Sequence, residues 1–151
     1  GVPLLPGDAL KGLASSYARR RLEGDVWRKG GEAHGVLFGD TGSAGYVEFH
    51  DAWWIPGSCT APLALDVMTV HHADYYGGKK PPSDRDEPNP VSFLTAQGSF
   101  LLAFTGPAGW CHKAKEILGY ALREEGIGAK TNAGYGRMSI ENEAAHPSVP
   151  N

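Results

Sequence analysis

Gly126-Ile127-Gly128-Ala129-Lys130-Thr131-Asn132-Ala133-Gly134-Tyr135-Gly136-Arg137 is the stretch on which the reading of this chain turns. Its glycines fall as Gly-x-Gly, five residues, Gly-x-Gly, a spacing that permits positive φ angles and close approach of backbone to a ligand. Exposed N–H groups in such a turn suit phosphate oxygens, with Lys130 and Arg137 supplying opposite charge. Tyr135 offers a face for stacking on a base. The local Gly-Ala-Lys-Thr superficially matches a P-loop, but that pattern needs glycine where Glu124 and Ala129 stand. The context is also reversed, because a helix is expected before this loop and a strand after it. The P-loop comparison therefore fails, and the plain alternative to a phosphate-binding loop is a glycine turn joining helix to strand.

Upstream of the loop, Trp110 to Glu125 predicts a helix with Ala114, Ile117, Leu118, Ala121 and Leu122 as its apolar stripe, and Gly126 as its C′ residue. Downstream, Tyr135 to Ile140 predicts a short final strand. At the other end of the chain, Pro3 and Pro6 keep the first residues extended. Asp8 is then expected to cap a helix from Ala9 to Leu22 that buries Leu10, Leu13, Ala14 and Tyr17. Lys11, Arg19, Arg20 and Arg21 fall largely on its other faces.

Between the helices, Val36-Leu37-Phe38 is a short apolar run, and Gly45 to Ile55 alternates as a strand or hairpin arm. Leu63 to Val70 is a further strand. Residues 77–90 form a long proline-rich loop, and Val91 to Phe104 gives two strand-like runs around Gly98. The order helix, strands, helix, strand becomes βαββαβ, the ferredoxin-like α+β arrangement of RNA-recognition domains, if one strand precedes Gly1. The expectation is thus one domain over residues 1–140, the later portion of a longer protein, followed by a flexible tail at 141–151.

Composition narrows the class. Of 151 residues, 41% are hydrophobic and 21% charged, which is a folding chain rather than a disordered one. No apolar run approaches the roughly 20 residues needed to span a bilayer, and Gly1-Val2-Pro3 does not open a signal peptide. Cys59 and Cys111 make neither a disulfide framework nor a zinc cluster, so a reduced, cytoplasmic setting is expected, with no membrane association. The net charge of −3 hides a segregation. Residues 1–30 carry +3 and residues 113–137 carry +2, whereas residues 31–112 carry −6 and the remainder −2. If the two basic segments fold together, with the 126–137 turn beside Lys11, they form one positive face on an acidic body.

These residues carry a resemblance. The double-glycine loop resembles the signature of the RAMP superfamily of CRISPR RNA-binding proteins, and Pro6-Gly7-Asp8-Ala9-Leu10-Lys11-Gly12 resembles the "PGSSLKG" opening of that superfamily's first helix, with Asp8 and Ala9 in place of the paired serines. Phe49-His50-Asp51-Ala52, Leu65-Asp66-Val67-Met68-Thr69, His71-His72-Ala73-Asp74-Tyr75-Tyr76 and Pro88-Asn89-Pro90-Val91 follow in order. Together they resemble the sixth-subunit family of the Cmr complex, the type III-B CRISPR effector, over about Val2 to Met138. The resemblance implies a ferredoxin-like backbone subunit of an antiviral ribonucleoprotein, bound to guide RNA near its 3′ region and packed against neighbouring RAMP subunits. It also implies a non-catalytic member, because RNA cutting in that family belongs to a different backbone subunit.

The expected RNA-binding set is Lys11, Arg19, Gly126, Gly128, Lys130, Asn132, Gly134, Tyr135, Gly136 and Arg137: cations neutralise phosphates and the glycine turn donates hydrogen bonds. No catalytic residue, metal ligand or cofactor is assigned. The competing reading is a metal-independent RAMP endoribonuclease that uses His34 or His50 as general acid or base. His71 and His72, adjacent on a strand, point to opposite faces and read as structural. Trp53 and Trp54 divide between stacking and core, Asp51 reads as a strand-end hydrogen-bond acceptor, and the 77–90 loop as a contact with a neighbouring subunit.

Overall fold

The two apolar stripes read from the sequence meet. In the computed structural model, which describes residues 1–70 and 89–141, helix α1 (Gly7–Arg21) buries Leu10, Ala14, Tyr17 and Ala18. Helix α3 (Ala108–Glu124) buries Ala114, Ile117, Leu118, Ala121 and Leu122, the five positions expected of it. The two helices pack together. Leu13 is only half-buried. The expectations for His71, His72, Asp74, most of the 77–90 loop and the tail from 142 lie outside the described residues.

The chain divides into two compact units, one of Leu5–Ala52 with Leu102 onward, the other of Gly1–Leu4 with Trp53–Leu101. The first is helical. Besides α1 and α3 it holds a short helix, α2 (Glu32–Phe38), where the sequence predicted only an apolar run. Seven residues are too few to display helical periodicity, and with Gly31 and Gly35 inside or beside it the segment is weakly helical by propensity. Burial of His34, Leu37 and Phe38 holds it in place. Strands β2 (Glu48–Phe49) and β7 (Phe104–Thr105) pair antiparallel in the same unit, Phe49 opposite Phe104. Phe49 meets Phe104 edge-on at 5.1 Å and stacks toward Phe38 at 6.0 Å, an aromatic bridge from sheet to α2.

The second unit is built of strands. Strand β1 (Leu4–Leu5) and β3 (Ala52–Trp54) run across the division, and with β6 (Phe100–Leu101) they make a small sheet in the order β1-β3-β6. Strands β4 (Leu63–Val70) and β5 (Asn89–Ala96) pair along eight residues each, Leu63 opposite Ala96 and Val70 opposite Asn89. Asn89 and Pro90 thus belong to a strand rather than to the expected loop. The Gly45–Ile55 arm is likewise two short strands rather than one.

Two expectations at the helix starts and at the C-terminal side need correction. Asp8 does not cap α1: Pro6 occupies the N-cap position, and Asp8 sits in the first turn, where its charge complements the helix dipole. Residues 135–140 form no strand. No strand neighbours them among the described residues; instead the Met138 N–H donates to the Leu122 carbonyl at 3.1 Å, tying the segment along α3.

Candidate nucleic-acid interface

The glycine loop leaves α3 through a tight neck. The Glu125 and Gly126 amides both donate to the Ala121 carbonyl, at 2.9 and 3.1 Å, which ends the helix. The Ile127 N–H then donates to the Gly136 carbonyl at 2.9 Å and closes the loop. A Cβ on Gly136 would collide with the Ile127 carbonyl oxygen, and Gly136 has φ +76, so only glycine fits the crossing. Around Gly128 and Gly134, by contrast, an added Cβ would meet nothing within 4 Å.

At these two positions the backbone conformation, φ +93 and +95, rather than close packing, calls for glycine. Among the described residues Lys130 is the sole non-glycine one with positive φ, at +61, a left-handed conformation that costs about 1–2 kcal/mol. A single 3-10 turn, Thr131–Ala133, follows it. Gly128, Lys130, Asn132 and Gly134 are exposed, while Tyr135 is half-buried. Arg137 is exposed too, but its Nη1 donates to the Arg123 carbonyl at 3.3 Å, near the C-terminal end of α3. A cation there opposes the partial negative charge of the helix end. Arg28 serves α1 in the same way, donating to the Arg19 and Leu22 carbonyls at 2.9 and 2.7 Å.

The neck sits beside the C-terminal end of α1, not beside Lys11. Tyr17 Oη donates to Glu124 Oε2 at 2.7 Å, and burial together with that bond pushes the phenol up to about 12. Arg20 grips Glu125 bidentately at 2.8 and 2.6 Å, and Arg21 approaches it at 3.9 Å. The Arg20 contact holds the Glu125 carboxyl below its ordinary value. Two of the helix arginines thus have a carboxylate partner within the fold. Arg19, exposed, lies at this same end. Lys11, half-buried, is six residues before Tyr17, about 9 Å along the axis. Gly12 next to it is exposed, with nothing within 4 Å of an added Cβ.

Other sequence candidates take structural roles. Asp51 Oδ1 accepts the Gly7 N–H at 2.7 Å, so the Phe49-His50-Asp51-Ala52 motif caps the Pro6-Gly7-Asp8 helix start. A Cβ on Gly7 would collide with the Phe49 carbonyl oxygen, and that contact explains the glycine. His34 is 9% exposed, its Nε2 is 2.9 Å from Ser15 Oγ, and its ring lies 4.8 Å from Phe38. Burial lowers its pKa. His50 Nε2 is 2.6 Å from Thr105 Oγ1, and its Nδ1 is 4.0 Å from Glu48. Trp53 is exposed; Trp54 is half-buried, its indole N–H donating to the Gln97 carbonyl at 2.9 Å. Sequence reasoning followed the buried stripe of α3 and missed its outward stripe, where His112, Lys115, Tyr120 and Arg123 border a shallow depression. The available signal was Gly119, a glycine in the middle of a helix.

Comparisons with known proteins agree on one relationship. The profile of the RAMP superfamily matches residues 1–139. The CRISPR system Cmr subunit Cmr6 of Pyrococcus furiosus is 39% identical over 111 residues, which make up 68% of this chain and 33% of that protein; the chain thus spans about a third of that relative's length. The crystal structure of Cmr6 from Pyrococcus furiosus superposes with a TM-score of 0.60 at 25% identity, over 93% of this chain and 84% of that one. A chain in the cryo-EM structure of the type III-B Cmr-beta complex bound to cognate target RNA gives 0.69 at 26% identity, over 93% of this chain and 46% of that one.

Proposed function

This chain belongs to the RAMP superfamily, and from that premise we propose that it is a guide-RNA-binding structural subunit of a type III-B CRISPR effector in antiviral defence. Its partners are the guide, near the 3′ part, and neighbouring RAMP subunits, in the reduced interior of the cell. The similarity to Cmr6 and to a chain of an RNA-bound Cmr complex supports the reading. The whole domain is read as a ferredoxin-like βαββαβ arrangement, with α1 and α3 packed together as its helix layer.

The observation that carries the proposal is the glycine loop. Its neck is closed by a backbone hydrogen bond, and its tip presents Lys130 and Asn132 in an exposed turn with no packing demand at Gly128 or Gly134. Such a tip suits phosphates of any sequence, so sequence information resides in pairing of the guide itself. Lys130, Arg137 and Arg19 neutralise phosphates at one end of the helix pair, and Lys11 with the bare backbone at Gly12 extends the contact along α1. The subunit works without a catalytic step. In support, His34 is enclosed and bonded to Ser15 rather than facing a cleft.

The test uses the full-length protein and an unstructured guide-like RNA. Lys130→Ala combined with Arg137→Ala should weaken binding and flatten the plot of log affinity against log salt by about 0.7 per lost phosphate contact. An unchanged affinity at every ionic strength would replace RNA binding with a role in protein contacts alone. Metal-independent cleavage of repeat RNA, abolished by His50→Ala or His34→Ala, would replace the non-catalytic assignment with the endoribonuclease.

A further inference from the structure

The outward stripe of α3 has features that folding does not explain. His112, Lys115, Gly119, Tyr120 and Arg123 recur at helical spacing opposite the buried stripe, and with Ile140 they border an open depression of about 250 Å³. Tyr120 is 41% exposed, so its ring is accessible beside the depression. The Arg123 guanidinium lies 5.4 Å from the centre of that ring, a cation–π distance. Glu116, the acid of the stripe, is paired with Lys113 at 3.3 Å, which leaves the local charge positive.

Gly119 is the second clue. Glycine is the least favourable ordinary residue in a helix interior. Here a Cβ would meet only Ile140 Cδ1, at 3.6 Å, an ordinary contact, so packing does not require its absence. What the missing side chain does is open the floor of the depression down to the helix backbone. A flat ring entering beside Tyr120 needs that clearance.

We propose that this face of α3 is a second nucleic-acid contact, a platform on which one unpaired base of single-stranded RNA stacks against Tyr120. Lys115 and Arg123 neutralise its flanking phosphates. The depression is shallow and open, as a stacking platform must be, and unlike an enclosed pocket for a small metabolite. Its position fits a continuous path: Arg137, at the end of the glycine loop, donates to the carbonyl of Arg123, so the loop and the platform adjoin. The inference rests on the RNA-binding reading and extends it by one nucleotide site along α3.

The experiment measures binding of a fluorescein-labelled oligouridine to the full-length protein across a salt series, with photocross-linking of a 4-thiouridine version mapped by mass spectrometry. Tyr120→Leu should reduce affinity about fivefold or more without changing the salt slope, and should abolish the cross-link to the α3 peptide, whereas Tyr120→Phe should retain both. Lys115→Ala with Arg123→Ala should flatten the slope by about 1.4. Unchanged melting temperatures certify folding, since these side chains lie outside the core. If the α3 variants bind as the parent does while Lys130→Ala with Arg137→Ala weakens binding, the platform is overturned and the RNA-binding reading stands. If the parent protein binds no RNA, both fall. Loss of a neighbouring subunit with RNA affinity intact would also overturn the platform, assigning the face to protein.

Discussion

The two units of this chain spend similar residues in opposite ways. In the helical unit Leu10, Leu37, Ile117 and Leu118 are almost wholly buried. In the strand unit Leu65 is 76% exposed and Leu94 64%, and the two stand opposite each other on one face of the β4–β5 ribbon, flanked by Leu63 and Val67. Alternation in a strand sorts side chains to two faces, but it buries one only if something covers it. The helical unit supplies its own cover, helix on helix. The ribbon is held by its ladder of backbone hydrogen bonds, and its aliphatic face contributes little to the stability of this chain alone.

That contrast can be broken most sharply by matched truncations. Leu118→Ala should cost about 2–5 kcal/mol in denaturant unfolding of the full-length protein, because a fully buried leucine leaves a cavity. Leu65→Ala, the same chemistry on the ribbon, should stay within about 0.5 kcal/mol. Equal costs would mean that the ribbon face is covered in solution. A smaller effect tests the joint between helix and strand inside the helical unit: Asp51→Ala removes the acceptor for the Gly7 N–H and should cost about 0.5–2 kcal/mol, with faster amide exchange confined to the first turn of α1.

The smallest effect is a pH dependence confined to the helical unit. Burial lowers the His34 pKa, so the imidazole stays neutral in the fold after its unfolded counterpart has begun to protonate. The stability it contributes is full above about pH 6.5 and declines as pH falls through the depressed folded value. Amide protection factors in α1 and α2, corrected for intrinsic exchange, should fall on acidification from pH 7.5 to 5.5, less so in His34→Gln. The strand unit has no histidine among its described residues and should not follow. A uniform response across both units would remove His34 as the cause.

The long helices were legible because each carries an apolar stripe of about two and a half turns, and Leu10, Ala14 and Ile117 landed where periodicity put them. Helix α2 was not, since Val36-Leu37-Phe38 reads equally as a strand and only tertiary burial chooses. Residues 135–140 alternate like a strand, yet strand formation needs a partner, and α3 takes their hydrogen bond instead. Within the candidate site the glycine spacing was readable, but the division of labour was not: nothing in the spacing tells that Gly136 closes the neck while Gly128 shapes the tip. Nor could charge counts reveal that Arg20 and Arg21 meet Glu125 across 104 or more positions.

The Asp51 cap has a last consequence for the path of a polyanion. The amino end of α1, ordinarily an inviting seat for phosphate, already holds a resident carboxylate, with Asp8 alongside on the first turn. On the proposed RNA-binding reading, these two carboxylates disfavour phosphate at the amino end of α1 and favour it at the opposite end, where Arg19 is exposed.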